Sequence, residues 1–271
     1  MRENGHVTAM TGDGVNDILA LKEADCAVSV ATGSDAARNI SHLVLMDNNF
    51  NSMPKVVYEG RRVINNVQSS ATLFLMKTLF TFVFALITLI DPTSKTYPFV
   101  LSNMIMLEVF VIGLPSFFLS LQENDALVEG NFLSTVFAKS VPSAILMIVS
   151  VLLVYLIEFI LGPVVSKEVY TTMKVFSLTF AGIISLYFIC RPLNVYRGVL
   201  FGLNLVAVLT ITLVAIFSGF NILELSMMMP LSTYWPQLVT ILGIILLDVP
   251  LMFLLEKLCK NIKFNVKLKK R

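Results

Sequence analysis

Charged residues are scarce in this chain of 271 residues. Asp, Glu, Lys and Arg make up 14% of it, whereas soluble domains carry about 25%. The deficit argues against an ordinary soluble protein, and the hydrophobic 56% of the chain is grouped into long runs. Because a helix of ~20 apolar residues crosses ~30 Å of hydrocarbon, the sequence predicts a membrane protein.

Cysteine is also scarce. Cys26, Cys190 and Cys259 lie far apart in the sequence, which excludes a disulfide framework and a metal-binding spacing. No Cys pair lies in a predicted membrane span, so the predicted membrane domain is poorly suited to bind a soft metal ion. Residues 1–65 lack a long apolar run, so the N-terminal part is predicted to be soluble and without a cleavable signal peptide.

The apolar runs predict six membrane spans. Lys and Arg accumulate on the cytosolic side of such helices, and an even number of spans places nearly all basic loop residues on the side of both termini. We therefore expect a multi-pass protein, in the plasma membrane, with both termini cytosolic. The transmembrane domain is predicted over 69–256, with helices at 69–90, 99–121, 142–161, 172–190, 198–218 and 234–256.

The C-terminal segment 257–271 is basic, with interleaved apolar residues. Directly after a span, such a segment is expected to lie on the anionic inner leaflet, where each basic residue contributes ~1 kcal/mol of attraction. Membrane lipids are therefore the expected partner of this tail, and nucleic acid is not.

Residues 1–49 show a different pattern, in which short apolar strands alternate with short helices. Strands are predicted at His6–Met10, Cys26–Ala31 and His42–Met46. The alternation predicts a parallel α/β sheet, although 49 residues are too few for an independent core. Residues 50–68 are predicted to form a rather polar stalk helix that runs without a break into the first span.

A polar motif, TGDGVND at residues 11–17, follows the first predicted strand. Its glycines let the backbone approach a ligand closely, and a helix N-terminus suits phosphate. Asp13 can hold Mg²⁺, Asn16 can reach a phosphate oxygen, and Asp17 can hold the turn or cap the helix, which together suit phosphoryl transfer. An ordinary turn and helix cap is the alternative. The residues expected to line the phosphate and cofactor site are Thr11, Gly12 and Gly14.

The string TGDGVNDILALKEAD resembles the hinge motif of P-type ATPases, whose phosphorylation domain has the haloacid-dehalogenase fold. The resemblance continues through SVATGSDAARNISHLVLMDNNF and EGRRVINN to Gly113-Leu114-Pro115 in the second predicted span. Larger members of that family end in six spans. The resemblance therefore implies a mainly α protein, in which a six-helix transmembrane bundle follows a partial, haloacid-dehalogenase-like phosphorylation domain. The chain resembles the C-terminal part of a cation-transporting P-type ATPase.

The resemblance also implies roles for the motif. In the family, the aspartate that matches Asp13 binds Mg²⁺ beside a phosphorylated aspartate, the asparagine that matches Asn16 contacts the phosphate, and the aspartate that matches Asp17 supports the hinge. Mg²⁺ and ATP are the implied cofactors of a full-length pump that couples ATP hydrolysis to ion movement through an aspartyl phosphate. The helix over 50–90 resembles the family's stalk and fifth membrane helix.

Several family motifs are absent from the chain. It has no DKTGT phosphorylation motif and no TGES-like actuator motif, and nothing matches the nucleotide domain or the first four membrane helices. We therefore expect a fragment that is inactive alone and is completed by the missing N-terminal part. The alternative is a non-catalytic membrane module, or a pseudogene product, that acts only as an assembly partner. The coding sequence immediately upstream would separate the two.

Ionisable residues inside predicted spans are functional hypotheses, because they are costly in hydrocarbon. Glu108 lies five residues before Gly113-Leu114-Pro115, where proline weakens the helix and frees carbonyls that can coordinate ions. Lys77 is a candidate internal counter-cation for Glu108. Glu158 and Asp248 are expected to form hydrogen bonds between helices.

By resemblance, Thr78, Thr81 and Glu108 fall where the calcium-pump branch has ion ligands. Ile112 stands where that branch has an aspartate, so the ion stoichiometry of that branch is not implied. Oxygen ligands suit Ca²⁺ or another hard cation as the transported ion.

Overall fold

The computed structural model describes residues 6–90, 97–128, 130–162, 165–217 and 231–261. The chain divides into two compact units, Met1–Gly60 and Arg61–Arg271.

The first unit is built on a three-stranded parallel sheet in the order β1-β2-β3. Leu21, Ala27 and Ala37 form its small core. The α2 helix begins where the Ser34 hydroxyl accepts a hydrogen bond from the Ala37 N–H, at 3.2 Å. The predicted parallel α/β arrangement is confirmed. Its elements are β1 (Ala9–Thr11), α1 (Ile18–Glu23), β2 (Cys26–Val30), α2 (Asp35–Ile40) and β3 (Leu43–Leu45).

A single helix of 38 residues, α3, runs from Met53 to Ile90 after a short 3-10 turn at Phe50–Ser52. Pro54 lies in its first turn, where the missing N–H has no helical partner to lose. The predicted continuity between the polar stalk and the first apolar run is therefore present in the structure.

The second unit is an apolar helical bundle. In the described part of the chain, five helical segments are long and apolar enough to cross a membrane. They are Phe50–Ile90, which begins in the first unit, Phe132–Leu161, Lys167–Ile189, Val195–Val214 and Trp235–Cys259. The α6 helix is the most buried of the five, and α5, α6 and α8 pack on one another. The remaining elements are α4 (Leu114–Leu121), α5 (Phe132–Leu161), α6 (Lys167–Ile189), α7 (Val195–Phe217) and α8 (Leu231–Asn261).

The sixth spanning helix, expected at 99–121, is not confirmed. This segment contains a 3-10 turn at Ser102–Met104, a π-helix at Leu107–Gly113 and then α4, and its apolar helix Leu107–Leu121 is shorter than the spanning ones. The backbone N–H of Leu114 donates to the carbonyl of Val109, five residues back. Next to it, Pro115 has no N–H to donate, so the regular hydrogen-bond ladder cannot continue.

The bounds of the other helices also differ from the predicted spans. The α5 helix begins at Phe132 and not at 142, and α8 extends to Asn261 and not to 256. Helical hydrogen bonding continues past the point where the apolar run stops, because polar residues can occupy helix ends. Residues 257–261 of the predicted basic tail form the end of α8, and residues 262–271 lie outside the described residues.

Candidate functional site

The carboxylate of Asp17 holds the motif loop that follows β1. Its Oδ2 accepts hydrogen bonds from the backbone N–H groups of Asp13, at 3.2 Å, and of Gly14, at 3.1 Å. Two donors of the turn are thereby satisfied by one side chain. Both roles considered for Asp17 are compatible with this geometry, since the bond from Gly14 also caps the short 3-10 helix Val15–Asp17.

Gly12 is required by the close packing of this loop. Its N–H donates to the Val28 carbonyl at 3.1 Å, which extends the pairing of β1 with β2. A Cβ at Gly12 would lie 2.5 Å from the Cβ of Asp17. No side chain fits at that distance, so the glycine allows the backbone and the Asp17 side chain to approach each other.

The loops that follow β1 and β2 meet at one edge of the sheet. The Ser34 N–H donates to the Asp13 carbonyl at 2.8 Å, and a Cβ at Gly33 would lie 3.1 Å from the same carbonyl oxygen. The carboxyl ends of parallel strands share an edge, and this bond fixes the Asp13 backbone there.

The Asp13 carboxylate is exposed, with no hydrogen-bond or ion-pair partner in the described part of the chain. Thr11 and Asn16 are exposed too. Of the two aspartates, Asp17 is engaged by the loop and Asp13 is available. An exposed carboxylate fits a hard cation such as Mg²⁺. The described ranges contain no group of three His, Cys, Asp or Glu side chains that could hold a metal.

In the second unit, Lys77 of α3 and Glu108 of the π-helix form an ion pair between Nζ and Oε1. Both side chains are about one-third exposed, at 29% and 30%. The expected pairing of these two residues is therefore present, and it joins α3 to the π-helix through a carboxylate and an ammonium group.

The π-helix that carries Glu108 depends on two glycines. A Cβ at Gly113 would lie 2.9 Å from the Glu108 carbonyl oxygen. A Cβ at Gly182 of α6 would lie 2.9 Å from Leu107 Cδ1, so α6 packs closely against this segment. π-helical turns are rare and occur frequently at functional sites.

The two threonines expected to join Glu108 are bonded within α3. The Thr78 hydroxyl donates to the Phe74 carbonyl at 2.9 Å, and its residue is exposed. The Thr81 hydroxyl lies 3.1 Å from the Lys77 carbonyl and 3.0 Å from that of Thr78. In the described ranges neither hydroxyl bonds to Glu108, so the structure brings together Lys77 and Glu108 but not the full predicted set.

A polar clamp beside α3 was not predicted from the sequence. Asn66 Nδ2 donates to the carbonyls of Ser120, at 3.0 Å, and Gln122, at 2.7 Å. Arg197 Nε donates to Gln122 Oε1 at 2.8 Å. The signal that could have indicated it is the polar INN sequence that ends just before the apolar part of α3.

A second ion pair joins Lys174 of α6 to Glu158 of α5, at 2.6 Å. Lys174 Nζ also lies 3.6 Å from the centre of the Tyr155 ring. Glu158 was expected to bond between helices, and it does so through Lys174.

Comparison with known proteins gives the family. The chain is 38% identical over 206 residues, 74% of its length, to the probable cation-transporting ATPase exp7 of Streptococcus pneumoniae. It is 36% identical over 208 residues, 73% of its length, to the calcium-transporting ATPase CtpE of Mycobacterium bovis. The chain belongs to the P-type ATPase family.

Other P-type ATPases match a shorter part of the chain. The calcium-transporting ATPase of Bacillus subtilis is 50% identical over 68 residues, which is 25% of this chain and 8% of that protein. The chain spans about a quarter of the length of the first two relatives, 26% of each. No protein-family profile matches it.

Proposed function

We propose that this chain is part of an ATP-driven cation pump and carries both a share of its phosphate site and a share of its ion site. The observation that carries the proposal is the ion pair of Lys77 with Glu108 on a π-helical turn in the apolar bundle. An ionisable pair in such surroundings is costly and is by default a functional site.

Glu108 is the proposed ligand of the transported cation, and Lys77 is its internal counter-cation. Since Lys77 neutralises the carboxylate in the state described, an arriving cation must displace the ammonium group. The interrupted helix supports this role, because carbonyl groups freed from the helical ladder are ligands for hard cations. Thr78 and Thr81 would join such a site only if their hydroxyl oxygens also coordinate the ion.

The TGDGVND loop, residues 11–17, is the part of the phosphate site that we propose this chain carries. Asp13 would hold Mg²⁺ through its free carboxylate, Asn16 would contact the phosphate, and Asp17 keeps the loop in place through its two backbone bonds. Bound Mg²⁺ would neutralise negative charge on the phosphoryl group as it is transferred. ATP, an aspartyl phosphate and the domains that carry them belong to the rest of the proposed pump.

The same proposal includes a sixth crossing of the membrane by the interrupted segment 99–121, cytosolic termini, and a location in the plasma membrane. The basic residues of the loops and of the segment 257–271 support this orientation. Ca²⁺ or another hard cation is the proposed substrate, in keeping with the calcium-transporting relatives.

The experiment is a scan of cations for stimulation of ATP hydrolysis by the complete pump, reconstituted in lipid vesicles. In Glu108→Gln, we expect the half-saturating concentration of the stimulating cation to rise at least about tenfold, equivalent to ~1.4 kcal/mol. In Lys77→Met, we expect it to fall, because no ammonium group competes with the ion.

Glu158→Gln is the matched control, since it breaks another glutamate–lysine pair of the bundle. It should leave the half-saturating cation concentration within about twofold of the native value, or ~0.4 kcal/mol. An unchanged cation response in Glu108→Gln, in a protein that still folds and hydrolyses ATP, would remove Glu108 from the ion site.

A further inference from the structure

A second carboxyl group lies deep in the bundle, away from the proposed ion site. Asp248 of α8 is fully buried, and so is Ser150 of α5, which faces it. The Ser150 Oγ lies 2.8 Å from Asp248 Oδ1 and 2.7 Å from Oδ2. The same Oγ lies 2.9 Å from the carbonyl oxygen of Leu146, one turn back in α5.

These distances limit how hydrogen atoms can be shared among the oxygen atoms around Ser150. The serine hydroxyl has one hydrogen, and three oxygens surround it at hydrogen-bonding distance. If Asp248 is ionised, this one hydrogen is the only donor that the described residues offer to the carboxylate, and the Leu146 oxygen receives nothing from the hydroxyl. If Asp248 carries a proton, its O–H donates to Ser150 Oγ, and the serine O–H donates to Leu146. Each hydrogen then has its own acceptor.

No cation in the described residues offsets a charge on Asp248. The elements that pack most extensively on α8 are α5 and α6. Lys174 of α6 pairs with Glu158 of α5, and Arg191, which follows α6, pairs with Glu256 of α8. A buried, unpaired carboxylate is expensive and takes up a proton instead of remaining charged. The charged groups on these helices whose side chains the structure describes, none of which bonds to Asp248, are Lys139, Glu158, Lys167, Glu168, Lys174, Glu256 and Lys257.

We propose that Asp248 is a proton-binding site of the membrane domain, in which a neutral carboxyl group of α8 donates to Ser150 of α5. The ligand is a single proton. Releasing it would leave a carboxylate with one donor between two packed helices, so release requires water or a cation to enter, or α5 and α8 to separate. The site stands independently of the proposed roles of Lys77 and Glu108.

The test is infrared difference spectroscopy on the complete protein at pH 7, because a carboxylic acid has a C=O stretching band that a carboxylate lacks. We expect Asp248→Asn to remove one such band. Glu158→Gln is the control: its glutamate pairs with a lysine, so its replacement should remove a carboxylate band and leave the carboxylic acid band in place. Loss of a carboxylate band in Asp248→Asn would overturn the proposal.

Ser150→Ala keeps Asp248 and provides a second readout if the asparagine variant does not fold. Removing the hydroxyl takes away the acceptor of the acid O–H, so the C=O band should move to higher frequency. A band that is absent, or that does not move in Ser150→Ala, would contradict the proposed site.

Discussion

A Cβ atom at Gly12 would lie 2.5 Å from the Cβ of Asp17. This approach lets the Asp17 carboxylate reach back to the backbone N–H groups of Asp13 and Gly14. The position of Asp13 therefore depends on a residue four places later in the sequence and on the absence of a side chain at residue 12.

We expect Gly12→Ala to distort the motif loop. Overpacking of this kind costs roughly 1–3 kcal/mol, and it would also move Asp13, so Mg²⁺-dependent phosphorylation of the complete pump should fall. Thermal unfolding and phosphoenzyme formation are the measurements. Gly60→Ala in α3 is the control, since nothing lies within 4 Å of a Cβ there. Helix propensity favours that change by about 1 kcal/mol, so equal effects of the two variants would contradict this account of Gly12.

Replacing each of the two aspartates of the motif by alanine should have a different effect. Asp13→Ala removes a free, exposed carboxylate, so folding should be unchanged while the Mg²⁺ concentration that supports phosphorylation rises. Asp17→Ala removes two hydrogen bonds of the loop, at a cost of about 1 kcal/mol each, and should lower both stability and phosphorylation. Mg²⁺ titration and thermal unfolding of both variants separate these outcomes. A loss of stability in Asp13→Ala equal to that in Asp17→Ala would show that the assignment is wrong.

Gly113→Ala should disturb the π-helix. The added Cβ would lie 2.9 Å from the Glu108 carbonyl oxygen, so the turn must change its geometry and Glu108 must move relative to Lys77. We expect a weaker cation response and a loss of roughly 1–3 kcal/mol in stability. Gly202→Ala in α7 is the control, because a Cβ there meets nothing within 4 Å. A native cation response in Gly113→Ala would argue against a role for the π-helical turn.

The clamp beside α3 should contribute to stability. Asn66 is only 5% exposed, and its replacement by alanine would remove two bonds to the 120–122 segment, at a cost of about 1–3 kcal/mol. Asn65 makes the equivalent bonds to Asn124, at 3.2 Å, and Ala126, at 2.9 Å, but is only half-buried. Thermal unfolding in detergent should therefore show a larger loss for Asn66→Ala than for Asn65→Ala. A larger loss of stability for Asn65→Ala would contradict the expectation that the more buried asparagine contributes more to stability.

Local patterns in the sequence predicted much of the fold. The strand and helix alternation predicted the parallel sheet, and the unbroken helical sequence after residue 50 predicted α3. The ion pair of Lys77 with Glu108 was also expected, because two opposite charges in apolar runs have few other partners. The sheet and the long helix follow from composition and periodicity over short windows of the sequence.

Other features depend on contacts between distant residues. The π-helix arises where Pro115 interrupts the ladder and α6 packs against Leu107 through Gly182, so an apolar run of spanning length did not become one regular spanning helix. The free Asp13 carboxylate differs from the engaged Asp17 carboxylate only because of how the loop folds back.

The sequence by itself determined that the chain is a membrane protein, that most of its apolar runs form long helices, and that a glycine-flanked aspartate follows the first strand. These properties depend on residue type and local spacing. Apart from Lys77 and Glu108, only the tertiary structure decided which polar side chains meet. Ser150 and Asp248 are 98 positions apart, and hydrogen bonding over a few ångströms depends on helix packing, which the order of residues along the chain does not display.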